Sequence, residues 1–285
     1  MSRPTRLELD DTVRRDDVRT RRGTFASLSC RPSGSSLPRG NVLLVPGFTG
    51  SKEDFAALLP LLAGAGWGGV AYDQRGQYET PAEPDDDFSL SGLAADAVEV
   101  AGEVFGRAEQ VHLVGHSFGG LVASTAAIEH PSAWASLTLM CSGPGGFGAD
   151  KRRDLLEVAD TVTARGLDEA YRASAERDRA NGVGPVSTEV EHFLHRRYLS
   201  HSPQALAAMA RLLVHTPDLT RQLDALDLPV SVLRGERDDA WDHDVQERLA
   251  TALETRVVVI GDAAHSPAVE QPEDTRDALA RIWLG

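Results

Sequence analysis

The pentapeptide Gly115-His116-Ser117-Phe118-Gly119 carries the strongest chemical signal in the sequence. It sets a serine between two glycines, after the apolar run Val111–Val114 and before the helix-forming stretch Phe118–Glu129. A serine on so sharp a strand-to-helix turn is expected in a strained backbone conformation, its hydroxyl projecting above the sheet. The flanking glycines remove side chains that would collide there. The helix that follows brings a positive dipole end close to any developing anion. The competing reading is an incidental Gly-Ser-Gly turn, which the strand and helix on either side disfavour.

A serine hydroxyl at its ordinary pKa is a weak nucleophile, so a base is required. Of the nine histidines, His265 is best placed. Its loop, Gly261-Asp-Ala-Ala-His265, follows the last predicted strand, at the carboxyl edge of the sheet where Ser117 also emerges. His116 adjoins the serine, but its side chain is expected to point away from the turn into packing. His243 begins a helix and is expected to face solvent. A carboxylate must then hold the imidazole tautomer and stabilise its charged form. Gly235-Glu236-Arg-Asp238-Asp239 supplies acids just past a buried strand; Asp238 is the first choice, Asp239 the second and Glu236 a distant third. Two oxyanion donors are expected from the backbone N–H groups of Phe118 and Phe48, the latter in the loop Val45-Pro-Gly-Phe48-Thr49-Gly. The Thr49 hydroxyl is a further candidate.

These groups need a scaffold of alternating strands and helices. Strand-like runs cover Gly23–Cys30, Asn41–Val45, Trp67–Tyr72, Val111–Val114 and Leu137–Met140. Helical periodicity covers Lys52–Ala63, with Phe55, Leu58, Leu59 and Leu62 on one face, then Asp87–Phe105 with Ser89 as a candidate N-cap, and Phe118–Glu129. The Ser/Gly/Pro-rich stretch 31–40 reads as a loop. Between Gly143 and about Leu226 no strand is expected, only helices near Asp150–Ala164, Leu167–Asp178, Thr188–Tyr198 and Pro203–Val214. Alternation resumes with strand Val230–Leu233, helix His243–Leu253, strand Arg256–Ile260 and helix Pro272–Leu284. This rhythm predicts a mostly parallel α/β sheet carrying a helical insertion. Residues 1–22 read as a ragged end or an edge element.

Composition narrows the function further. With 43 acidic against 29 basic residues the net charge is -14, which repels phosphate backbones and anionic membrane faces, so no nucleic-acid partner is expected. No run approaches the roughly 20 apolar residues that span a bilayer, so no integral membrane association is expected. Residues 1–22 lack the apolar centre of a secretory signal, and a cytoplasmic protein is expected. Cys30 and Cys141 match no metal-ligand spacing and read as small hydrophobes in or near strands. His192 and His195, three apart on one helix, lack a convincing third ligand and read as polar-face residues. Neither a cofactor nor a metal is expected.

In the combination Pro46-Gly-Phe-Thr, Tyr72-Asp-Gln-Arg-Gly76, Gly115-His-Ser-Phe-Gly119, Gly235-Glu-Arg-Asp238 and Gly261-Asp-Ala-Ala-His265, the chain resembles the α/β-hydrolase superfamily from about Gly23 to Leu284. Within it the chain is most similar to bacterial serine esterases, monoacylglycerol-lipase-like enzymes and cofactor-free haloperoxidase-like hydrolases. The resemblance implies an eight-stranded, mostly parallel sheet flanked by helices, with a helical cap inserted after the sixth strand. The expected division is a core of 23–143 and 227–285 and a cap of 144–226. Phe147, Leu155, Phe193, Met209, Leu213 and Trp241 are candidates for a pocket lining or for plain packing. The expected function is cleavage of a small or medium-chain carboxylic ester by Ser117, His265 and Asp238 through an acyl-enzyme, the partners being a small ester-like substrate and water. Two alternatives stand beside it: acyl transfer or lactone or thioester hydrolysis on a specialised metabolite, and a non-catalytic binding protein on the same fold.

Overall fold

The structure, a computed structural model, describes residues 2–4, 7–33 and 38–285; part of the expected loop 31–40, residues 34–37, lies outside them. Eight strands form one sheet: β1 (Val13–Thr20), β2 (Gly23–Cys30), β3 (Gly40–Val45), β4 (Trp67–Tyr72), β5 (Val111–His116), β6 (Trp134–Met140), β7 (Val230–Gly235) and β8 (Val257–Ile260). Their spatial order is β1-β2-β4-β3-β5-β6-β7-β8. The β1–β2 and β2–β4 pairs are antiparallel and every other pair is parallel.

The parallel strands read as near-continuous apolar runs because both faces of the sheet are covered. On one face, Leu43, Val45 and Leu113 pack with Val100, Leu121 and Leu249. These helical residues come from α2 (Leu90–Phe105), α3 (Phe118–Glu129) and α9 (His243–Ala252). On the other face, Val42, Leu44 and Val114 pack with Leu59, Leu62 and Leu279 from α1 (Leu58–Gly64) and α11 (Pro272–Leu284). Neighbours along β3 thus serve opposite layers, and each fully buried Val or Leu contributes about 1.5–3 kcal/mol.

Of the two readings of residues 1–22, the edge element holds: they contain a full edge strand, β1. Its sequence VRRDDVRT buries only Val13 and Val18, five positions apart and therefore on opposite faces. Charged residues fill the rest but for Thr20, as suits an edge that must not recruit another strand. The continuous helix expected over Lys52–Ala63 is instead a 3-10 turn, Lys52–Phe55, followed by α1. Pro60 explains the break, since its ring and missing N–H are tolerated only in a helix's first turn. Helix α2 begins at Leu90, three residues after the expected start, where Ser89 Oγ caps Gly92 N–H at 3.1 Å.

Between β6 and β7 the chain forms helices α4 (Ala149–Arg165), α5 (Leu167–Ala180), α6 (Thr188–Leu199), α7 (Pro203–His215) and the short α8 (Thr220–Asp224), with no strand among the described residues. The insertion is tied down by charge: Arg197 of α6, fully buried, donates to Asp54 at 2.8 Å. A second short helix, α10 (Pro267–Glu270), follows β8.

Candidate active site

Ser117 stands between the last residue of β5 and the first of α3, at φ 55° and ψ −120°. This left-handed conformation is rare for a residue with a side chain and costs of order 1–3 kcal/mol. Neighbouring bonds hold it there. Ser117 N–H donates to Met140 at 2.9 Å, and its carbonyl accepts from Gly120 N–H at 2.8 Å and Ser142 Oγ at 2.9 Å. Glycine is required on both sides: a Cβ on Gly115 would collide with the Gly119 carbonyl, and one on Gly119 with the carbonyl of Val45.

The loops after β7 and β8 bring two more groups to this turn. His265 Nε2 lies 3.0 Å from Ser117 Oγ, and His265 Nδ1 lies 2.7 Å from Asp238 Oδ1. The Asp238 side chain is fully buried. Burial opposes its charge, but the His265 bond and charge, the Ala240 N–H and the Gln246 amide together hold its carboxyl down to about 2. Asp239 and Glu236 are both exposed, and Glu236 accepts from Asp262 N–H at 3.2 Å instead. With the carboxylate fixed on Nδ1–H, Nε2 is left to accept the serine proton.

Two histidines differ from or sharpen their expected places. His243 is half-buried and not free in solvent: its Nε2 lies 2.8 Å from the Asp238 carbonyl, bracing the acid turn. His116 is buried and neutral, burial pushing it down to about 3, and its Nε2–H donates to the His265 carbonyl at 2.6 Å. Sequence reasoning missed two other supports. Gln246 on α9 donates to Asp238 Oδ2 at 3.0 Å, and Glu270 on α10 accepts from the N–H groups of Ala264 and Ser266 on either side of His265. A polar residue on the inward face of a helix was the only signal for Gln246.

A chamber of about 160 Å³ opens beside Ser117 and His265. Phe48, Phe147, Leu155 and Leu213 supply its apolar wall, while Thr49, Asp54 and Ser2 supply polar wall. Ser2 is held there by its carbonyl, which accepts from Arg197 Nη2 at 2.6 Å. Phe193 and Met209 are buried away from this wall: Phe193 packs edge-on to Tyr78 at 5.7 Å, and Met209 joins the core. Trp241 packs against Phe147 at 4.1 Å between ring centres with the rings tilted by 35°, and both line a separate groove of about 860 Å³. His192 and His195 are exposed on α6, outside the chamber.

The N–H groups of Phe48 and Phe118 donate to no acceptor among the described residues. The Thr49 hydroxyl is engaged, donating to the Phe48 carbonyl at 2.6 Å. Donor atoms of Cys141, Asp238 and His265 lie within 4.8 Å of one another, a spacing a metal could use. The set suits one poorly: burial and the Asp238 charge push the Cys141 thiol well above its ordinary range, and Asp238 and His265 already bond each other.

The sequence signature of the alpha/beta hydrolase family matches residues 42–278, which takes in every loop just described. The chain belongs to the alpha/beta hydrolase family. RutD of Variovorax paradoxus, named for carbamate hydrolysis, is 30% identical to this hydrolase over 220 residues, covering 74% of this chain and 79% of RutD. The pimeloyl-[acyl-carrier protein] methyl ester esterase of Aeromonas hydrophila is 27% identical over 209 residues, covering 70% and 79%. Among solved structures, a thermophilic esterase from Thermogutta terrifontis superposes with a TM-score of 0.72 at 25% identity, over 95% of this chain and 98% of that one.

Proposed function

We propose that this hydrolase is a serine esterase for short-acyl carboxylic esters, working through an acyl-enzyme. The carrying observation is the Ser117–His265–Asp238 relay, with bonds of 3.0 and 2.7 Å, beside two backbone N–H groups that find no acceptor among the described residues. In the proposed cycle His265 Nε2 takes the Ser117 proton as Oγ bonds to the acyl carbon. The N–H groups of Phe48 and Phe118 receive the oxyanion, and His265 returns the proton to the leaving alcohol. Water, deprotonated by His265, then attacks the acyl-enzyme, frees the acid and restores Ser117. Asp238 keeps the tautomer and balances the imidazolium charge.

Residues 144–226 act in this reading as a cap, reaching the chamber through Phe147, Leu155 and Leu213. A space of about 160 Å³ falls below the 300–1,000 Å³ of pockets for drug-sized ligands, which favours short acyl groups. The esterase relatives point to the same bond class, and likeness to RutD makes carbamates the second class to assay. No helix among the described residues is long and apolar enough to cross a membrane.

The test is hydrolysis of p-nitrophenyl esters from acetate to palmitate by wild type and Ser117→Ala. Turnover peaking at two to six carbons, roughly what the chamber admits, and lost in the mutant is the expected result. Equal turnover by a folded Ser117→Ala protein rejects the mechanism.

A further inference from the structure

The peptide that presents the Phe48 N–H is held from behind by a glutamine outside every loop assigned to the chemistry. Gln77 lies just past the turn that leaves β4, and its side chain is completely buried. Its Nε2 donates to the Gly47 carbonyl at 2.9 Å, while its Oε1 accepts from Gln74 N–H at 3.2 Å. These two bonds specify one orientation of the carboxamide, because the flipped amide would set oxygen against oxygen and N–H against N–H. Gln74 treats the preceding peptide alike, its Nε2 donating to the Pro46 carbonyl at 2.8 Å.

A trans peptide is planar, so the Gly47 C=O and the Phe48 N–H point in opposite directions. Fixing the carbonyl therefore fixes the N–H. The far side of this peptide borders the serine: a Cβ on Gly47 would lie 3.1 Å from Ser117 Cβ, and Phe48 and Ser117 line the same chamber. The other side-chain bonds on this loop, from Gln74 to the Pro46 carbonyl and from Thr49 to the Phe48 carbonyl, hold the neighbouring peptides and not this one. The loop contains Gly47 and Gly50, and Thr49 already sits at φ 58°. Among the described residues one other bond reaches the Gly47 carbonyl, from Gly50 N–H at 3.1 Å.

We propose that Gln77 is a positioning residue for the oxyanion site, its carboxamide locking the Gly47–Phe48 peptide so that the Phe48 N–H faces the tetrahedral oxygen. This rests on the serine-esterase reading above and adds to it the group that keeps the donor aimed. A merely structural Gln77, wedged between loop and insertion with Met209 Sδ at 3.8 Å, would affect stability but not transition-state binding selectively.

The experiment compares wild type, Gln77→Met and Gln77→Glu on p-nitrophenyl butyrate and on a butyl trifluoromethyl ketone, whose serine adduct carries the same oxyanion. Loss of one such donor costs about 10²–10³ in kcat; with Gly50 still bonded, a fall of about 10- to 100-fold is expected here. KM should stay within about threefold and ketone affinity should weaken in proportion to kcat/KM, the pattern of a contact made only in the transition state. A folded variant with kcat within twofold of wild type, or with kcat reduced and ketone affinity intact, overturns the proposal. Should neither variant fold, a crystal structure of the wild-type ketone adduct decides. An oxyanion about 2.7–3.1 Å from Phe48 N, with Gln77 still on the Gly47 carbonyl, supports the assignment; a carbonyl released from Gln77 or turned toward Ser117 overturns it. Failure of the underlying reading is separate, since it appears as ester turnover that survives Ser117→Ala.

Discussion

Asp238 and Asp239 are adjacent and chemically identical, yet the strand's exit sends one carboxylate inward and the other into solvent. Asp238 is buried on His265 with further donors from Ala240 and Gln246, whereas Asp239 is exposed. Asp238→Asn should lower turnover by about 10⁴, because an amide there stabilises the wrong imidazole tautomer. Asp239→Asn should leave turnover within about twofold, as befits a surface substitution. Steady-state kinetics on the best ester checks both, and the reverse order would move the acid to Asp239. Gln246→Leu should cost about tenfold in kcat, the worth of about 1.5 kcal/mol for one bond to a charged acceptor. An unchanged kcat in that variant would leave Gln246 a packing residue.

At the scale of elements, the loops carrying Ser117, Asp238 and His265 meet at one edge of the sheet, and helices of the insertion reach the chamber beside them. Leu155 on α4 and Leu213 on α7 reach the chamber from two different helices, so the width of the chamber depends on how these helices pack. The double variant Leu155→Ala/Leu213→Ala should move the preferred chain length upward by two or more carbons, with stability lowered by about 2–5 kcal/mol per leucine if both sites fail to collapse. A chain-length profile measured beside urea unfolding separates these effects. An unmoved profile would place the acyl group elsewhere, the groove lined by Trp241 and Arg248 being the nearest alternative.

Over the whole molecule, two buried histidines, His116 and His201, and the half-buried His112 make stability sensitive to mild acid. Burial pushes His112 down to about 4, His116 to about 3 and His201 to about 4, all below the ordinary 6.5. Below pH 6.5 the unfolded chain therefore binds protons that the folded chain refuses. Stability is present in full above that value and is lost as pH falls toward 4, by about 1.4 kcal/mol per pH unit for each histidine. Urea midpoints at pH 7.5, 6 and 5 should drop steadily over that range. A constant midpoint would mean that these imidazoles protonate inside the fold.

The sequence by itself determined the strand and helix alternation, the stretch free of strands and the turn that carries Ser117, because apolar runs, prolines and glycine pairs act over a few neighbouring residues. It left β1 as one of two readings of residues 1–22, because the strand's two buried valines face opposite sides among charges, and it concealed α8 and α10, too short to show a period. The inward turn of Asp238 and outward turn of Asp239, the bonds by which His116, His243, Gln246 and Glu270 brace their loops, and the grip of Gln77 on the Gly47 carbonyl were decided only by tertiary structure. Each depends on the direction of one side chain toward an atom on another loop or helix. Such directions follow from how the layers pack around the sheet, and local pattern carries no record of them.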